Sequence, residues 1–185
     1  MNVGRPVVRK AMTADLGPAE VAAVREIMTL AFGDEEEERF RDEDWLHALG
    51  GVHVVVDLAG EIVAHAAVVE RELQAAGLPL RTGYVEAVAT TPGRQGEGHG
   101  TLAMGEVNAI IRERFELGAL GTGANHFYER LGWVTWLGPT YVRTEVGLER
   151  TPDEDGGILV LETPTSPQLD VRAPISCEWR PGDVW

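Results

Sequence analysis

Two stretches of this 185-residue chain hold residues whose types and spacing could do chemistry. The first is Glu86, a carboxylate inside the apolar run Tyr84-Val85-Glu86-Ala87-Val88. Such a run reads as a central strand covered on both faces, where nearly every residue should be apolar. An unpaired buried charge is costly, so Glu86 is paired, open to a cleft, or at work. Arg81 is the structural partner the sequence offers. A cleft role is the alternative, because ionisable groups forced into cores gather at functional sites. The second stretch is Arg94-Gln95-Gly96-Glu97-Gly98-His99-Gly100, behind a turn at Thr91-Pro92-Gly93 and ahead of a helical pattern. A strand, a glycine turn and a helix start make an anion site, because the first N–H groups of a helix point outward unpaired. Glycines let the backbone approach a phosphate closely, and Arg94 adds charge. No lysine follows these glycines, as a P-loop requires, and Gly96-x-Gly98-x-Gly100 lacks the last spacing of the dinucleotide fingerprint. An ordinary glycine-rich turn is the other reading.

The loop resembles the acetyl-CoA loop of the GNAT acetyltransferases, Q/R-x-x-G-x-G/A at a strand-to-helix junction. Arg94 or Gln95 opens it here, with Gly96, Gly98 and Gly100 behind. Acyl transfer to an amine would give Glu86 a task. The amine arrives protonated and must lose a proton before it attacks a thioester, and a carboxylate, directly or through water, can take that proton. The departing thiolate needs a proton donor. Tyr128, in Phe127-Tyr128-Glu129-Arg130-Leu131-Gly132-Trp133, can supply one, or can be a packing tyrosine on a short helix. A backbone N–H near Val88 could polarise the thioester carbonyl as an oxyanion hole does.

Composition narrows the classes. Sixteen basic against thirty acidic residues give a net charge of −14, which disfavours nucleic acid and anionic membrane as partners and would draw in a polycation. Solubility alone would also account for the acidity. The single cysteine, Cys177, excludes an internal disulfide and a cysteine-rich zinc site. His47, His53 and His65 lack metal-ligand spacing and read as packed or surface histidines, so no metal is expected. Without an apolar leader or a long uncharged run, a cytoplasmic location is expected. The length suits one domain over residues 1–185.

The elements that would position these residues alternate in type. Residues 5–12 read as a strand, and Pro18 opens a helix over 18–32 whose buried stripe is Val21, Val24, Ile27, Met28 and Ala31. Five carboxylates follow at 34–38, usually a solvated face. A short helix over 42–49 comes next. Residues 52–58, 61–73 and 80–90 then form an antiparallel meander, turned at Ala59-Gly60 and at 75–79. A helix over 100–115 points Leu102, Val107, Ile110 and Ile111 inward. A strand at 117–121, a helix at 123–131 and late strands at 133–136, 140–146 and 158–161 complete the pattern, and residues after Pro164 read as irregular.

A more specific resemblance spans nearly the whole chain. Asp44-Trp45, Leu49-Gly50-Gly51, Ala64-His65-Ala66-Ala67-Val68, Gly83-Tyr84-Val85-Glu86, Leu117-Gly118-Ala119-Leu120, Gly132-Trp133, Gly138-Pro139-Thr140, Thr151-Pro152-Asp153 and Gly182-Asp183-Val184-Trp185 resemble the aminoglycoside 2′-N-acetyltransferases. That resemblance implies a GNAT α/β fold: a mixed, mostly antiparallel twisted sheet, splayed between its fourth and fifth strands, with helices on both faces. It implies direct transfer of the acetyl group of acetyl-CoA to the 2′-amine of an aminoglycoside, giving antibiotic resistance, and a homodimer. Glu86 would be the base acting through water and Tyr128 the acid that protonates coenzyme A. The Val88 and Thr90 backbone would hold the pantetheine arm, with Ala89 also at the coenzyme. Gln95, Gly96, Glu97, Gly98, His99 and Gly100 would hold the pyrophosphate, with Arg94 and Thr101 also at the coenzyme. Asp34, Asp44, Glu86, Ala87, Gly121, Thr122, Glu154, Asp183 and Trp185 with its α-carboxylate would contact the drug, whose ammonium groups suit charge-assisted hydrogen bonds.

The chain departs from the family pattern in three places. Glu154 stands where the family has an aspartate, Gly121-Thr122-Gly123 replaces a serine cluster, and the acidic stretch from Asp34 to Glu38 is longer. These changes bear on substrate range. The rival readings are acetylation of another cationic amine (an amino sugar, a polyamine or a protein N-terminus) and a non-catalytic acyl-CoA-binding module.

Overall fold

The structure, a computed structural model, describes residues 4–33 and 39–185. The chain divides into two compact units: Met1–Val69 with Glu86–Val107, and Glu70–Val85 with Asn108–Trp185. Two long strands and one helix run through both.

The first unit contains β1 (Val7–Met12), α1 (Pro18–Phe32), α2 (Asp42–His47), β2 (Val52–Leu58), the start of β3 (Glu61–Ala75), the end of β4 (Leu78–Thr90) and the start of α3 (His99–Arg114). β1, β2 and β3 are antiparallel, with Val8 opposite Val56 and Val54 opposite Ala66. α1 begins at Pro18 because that ring presets the helical φ and the Glu20 carboxylate accepts the Gly17 N–H at 2.9 Å. Its buried side chains are Val24, Ile27 and Met28, with Val21 and Ala31 packed at the margin, which is the stripe read from the spacing. Trp45 from α2, Ala67 from β3 and Ala89 from β4 close this core. Gly51 is indispensable where β2 begins: a Cβ there would lie 2.2 Å from the Val68 carbonyl oxygen.

The second unit adds β5 (Leu117–Gly121), α4 (Asn125–Glu129), β6 (Val134–Thr135), β7 (Thr140–Thr144), β8 (Gly147–Arg150), β9 (Ile158–Glu162) and β10 (Ile175–Glu178). Its strand order is β6-β9-β5-β4-β3-β10-β7-β8. β3 and β4 join through Ala76 and Gly77, both at positive φ, the backbone twist that a two-residue hairpin requires. β4 and β5 pair in parallel from Thr82–Leu117 to Tyr84–Ala119, and there the ladder stops although β5 runs on to Gly121. β7 and β10 are also parallel, while β3–β10, β5–β9, β6–β9 and β7–β8 are antiparallel. Ile111 and Phe115 press against Gly83, where a Cβ would meet Phe115 at 2.7 Å.

Three local expectations change. Leu102 is exposed, and Ala103 and Met104 fill the buried positions on that turn of α3. The strand expected over 140–146 is a hairpin that turns at Glu145-Val146, and residues 175–178 form β10 rather than irregular chain. Among the described residues, no helix is long and apolar enough to cross a membrane.

Candidate active site

In the first unit, Glu86 is half-buried on β4 and directly precedes a left-handed residue within that continuous strand. Ala87 sits at φ 52°, left-handed for a residue with a Cβ, which costs about 1–2 kcal/mol. His65 Nδ1 meets the Ala87 carbonyl oxygen at 2.8 Å and holds it. Arg81, the partner the sequence offered for Glu86, instead directs its guanidinium to Glu70 and to the Arg114 carbonyl. Beyond Ala87 come half-buried Val88, buried Ala89 and half-buried Thr90. The Thr91 N–H then donates to Val63 at 2.9 Å, and a 3-10 turn, Pro92–Arg94, leads away.

Gly96 and Gly98 follow at φ 81° and 89°, and a Cβ at either would meet nothing within 4 Å. The loop is therefore open on its outer side. The Leu102 N–H makes a helical bond to the Gly98 carbonyl, so the N–H groups just ahead of it lie at the open end of α3. His99 is buried, with Nε2 3.1 Å from Glu97 and Nδ1 without a protein partner among the described residues. Arg94 lies 3.5 Å from Glu97. Open backbone donors, glycine approach and an unsatisfied buried ring nitrogen fit a phosphate-bearing ligand. Asp44 caps its own helix by accepting the Arg41 N–H at 2.7 Å. Asp34 lies outside the described residues.

The second unit assembles the acidic residues. Glu154 is half-buried in a 3-10 turn, Pro152–Glu154, and burial, then Asp183 and Asp153, hold its carboxyl above the usual range. The turn is fixed by Asp155, which accepts from the Thr140 N–H and hydroxyl and from both Arg150 Nη groups; Arg150 chiefly holds its carboxyl down to about 2. Asp183 accepts the Trp185 N–H at 3.1 Å, and the buried Trp185 indole donates to Thr151 at 3.0 Å. Gly121 completes the cluster: a Cβ there would stand 3.4 Å from the Tyr84 hydroxyl and 3.7 Å from the Trp185 carbonyl carbon. The Thr122 N–H donates to Gly157, and its hydroxyl accepts from Ala124. Tyr128 is buried on α4, edge-on to Phe127, and burial pushes its phenol up to about 12. It holds its proton at neutral pH.

Each unit thus gathers part of the expected set: Glu86 to Thr90 and the glycine loop in one, Tyr128, Gly121, Thr122, Glu154, Asp183 and Trp185 in the other. Sequence reading missed the residues behind them. Arg71 is buried and reaches Glu178 and the Glu178 and Val184 carbonyls, and Arg180 reaches Asp183 and Trp185 backbone oxygens. An inward arginine between Glu70 and Glu72 in an otherwise buried strand was the available signal.

A family model, the acetyltransferase (GNAT) domain, matches residues 14–135. The chain is 42% identical over 178 residues, 94% of its length and 89% of the relative's, to an aminoglycoside 2′-N-acetyltransferase from Mycolicibacterium fortuitum. Among solved structures it resembles the GNAT family N-acetyltransferase YhbS of Escherichia coli in complex with CoA, at TM-score 0.67 and 13% identity over 96% of this chain and 92% of that one. It also resembles a GNAT family acetyltransferase from Brucella melitensis in complex with acetyl-CoA, at TM-score 0.59 and 20% identity over 90% and 94% of the two chains. The family match and the 42% identical relative define an acetyltransferase that takes its acetyl group from acetyl-CoA. The chain belongs to the GNAT family, in the branch that includes the aminoglycoside 2′-N-acetyltransferase.

Proposed function

We propose that this enzyme, acting as one catalytic domain, moves the acetyl group of acetyl-CoA to the 2′-amino group of an aminoglycoside. The observation that carries the reading is the crowding of Glu154 with Asp183 and Asp153 beside Trp185, in a chain 42% identical to an enzyme of that name. Carboxylates that raise one another's proton affinity are stabilised by a bound polycation, and the net charge of −14 draws one in. Asp34, Asp44, Ala87, Gly121 and Thr122 complete the substrate contacts in this reading.

Acetyl-CoA supplies a thioester whose carbonyl carbon is open to attack. Glu86 accepts the ammonium proton, through water, so that the amine lone pair is free. The Val88 N–H stabilises the charge that gathers on the thioester oxygen, with Ala89 and Thr90 along the pantetheine arm. Tyr128, protonated at neutral pH, donates to the departing thiolate sulfur. The open end of α3, from Arg94 to Thr101, takes the pyrophosphate. Acetylation turns a cationic amine into a neutral amide, which removes one of the drug's charges and so accounts for resistance. A homodimer belongs to the same reading, with Val146, Leu148 and Trp179 exposed in the second unit as apolar surface for a second copy.

Thiol release from acetyl-CoA with tobramycin, which carries a 2′-amine, and kanamycin A, which has a hydroxyl there, tests the position. Turnover with tobramycin alone is expected. Turnover with both would move the reaction to another amine.

A further inference from the structure

Behind left-handed Ala87 of β4 lies a line of polar groups, two buried histidines and a half-buried threonine, to which the mechanism above gives no part. Thr13 Oγ1 is 2.8 Å from His53 Nε2, His53 Nδ1 is 2.9 Å from His65 Nε2, and His65 Nδ1 is 2.8 Å from the Ala87 carbonyl oxygen. The Gly50 N–H meets Thr13 Oγ1 at 2.9 Å. Both rings are fully buried, and the Trp45 ring lies 5.6 Å from one and 6.2 Å from the other.

Chemistry allows this line a single direction. A carbonyl oxygen only accepts, so His65 Nδ1 carries the hydrogen. A buried ring beside tryptophan, alanine and another histidine is neutral, so His65 Nε2 accepts and His53 Nδ1 carries the next hydrogen. By the same step His53 Nε2 accepts from the Thr13 hydroxyl. That hydroxyl has one hydrogen, which leaves the 3.4 Å approach to the Gly51 carbonyl the weaker option, and its oxygen accepts from Gly50. Every junction then has one donor and one acceptor.

The end of the line carries the consequence. The Ala87 carbonyl and the Val88 N–H belong to one peptide plane, and with no cis bond among the described residues they point in opposite directions. Pinning the oxygen therefore aims the hydrogen. Aligned donors also polarise one another, so a carbonyl that accepts from such a chain makes its own N–H a stronger donor. We propose that Thr13, His53 and His65 are positioning residues that aim and polarise the Val88 N–H for acyl transfer, the catalytic half resting on the role given to Val88 above.

Two measurements test this. In nitrogen-15-labelled protein at neutral pH, both rings are expected as the Nδ1–H tautomer; an Nε2–H tautomer at either ring would break the chain as written and overturn the proposal. The second compares Thr13→Val with Thr13→Ser. Valine removes the hydroxyl at the far end of the line and is expected to shift the Val88 amide resonance and lower kcat about 3- to 10-fold at unchanged KM for acetyl-CoA, with serine restoring both. A shifted resonance with unchanged kcat would overturn the role of Val88 while leaving the line intact. An unmoved resonance in folded Thr13→Val protein would overturn the line itself. Should valine prevent folding, the tautomers of the wild-type rings decide alone.

Discussion

The Arg71 guanidinium donates to the Val184 carbonyl, 113 residues further along the chain, at 2.8 Å. The same group pairs with Glu178 at 2.9 Å and lies over the Tyr84 ring, 4.6 Å from its centre. A planar fork meets these acceptors together, which a single ammonium cannot do. Arg71→Met is expected to lower the free energy of urea unfolding by about 2–4 kcal/mol, because it strands buried carbonyls and one carboxylate. Arg71→Lys should recover only part of that loss. Equal stability of lysine and wild type would show that one donor suffices.

Glu86→Gln keeps the shape of the side chain and removes its basicity. Turnover is expected to fall about 100-fold or more while acetyl-CoA binding, measured by calorimetry, holds. The rate lost should return in part at high pH, where the amine sheds its proton unaided. Unaltered kinetics would remove Glu86 as the base.

Glu154 offers a charge that its neighbours resist. Glu154→Gln relieves repulsion with Asp183 and Asp153, so the protein should melt higher at neutral pH than wild type. It also loses one charge-assisted bond to a polyamine, and KM for tobramycin should rise about 10- to 100-fold. Glu154 has a raised carboxyl, so the stabilising effect of the substitution should vanish as pH falls below the ordinary carboxylate range. A higher melting point without a KM change would separate the acidic cluster from substrate.

Gly98→Val places a branched side chain at φ 89° in the loop. The outer side of the loop is empty in the protein, so the expected loss falls on coenzyme A: about 10-fold or more in KM for acetyl-CoA, with the rest of the fold retained. A KM within twofold of wild type would move the pyrophosphate elsewhere.

Burial lowers His53 to about 4 and His65 to about 3. In the unfolded chain both titrate near 6.5, so from pH 6.5 downward the unfolded state holds more protons than the folded one. Stability is complete above that pH and falls as acid is added, with proton uptake on unfolding approaching about two near pH 5. Urea titrations from pH 8 to 4 read this slope. A flat profile would mean that the rings are charged when folded.

What the sequence alone makes legible follows the range of the interactions. The stripe of α1 and the helix start behind the glycine loop are local, and both stand where spacing put them. Glu86 was visible because a charge in an apolar run needs no partner to be conspicuous. The histidine pair was hidden by register: His53 faces Ala67 and Val55 faces His65, so the rings meet on the diagonal of a hairpin rather than at any sequence spacing. β10 was hidden for a related reason. Its four residues form a strand only because β3 and β7 flank them, and nothing in a short segment after a proline-rich stretch announces that. The β7–β8 hairpin turns on Glu145-Val146, which lacks the usual turn residues, with Gly147 one place later.

Gly121 has a φ that any residue adopts and a Cβ position in ordinary contact distance of its neighbours. Alanine would fit there without moving the Tyr84 hydroxyl or the Trp185 backbone. Adaptive change is thus inexpensive at this one position. A population under selection could try new side chains against new amines there in single mutational steps, with the scaffold indifferent to the outcome.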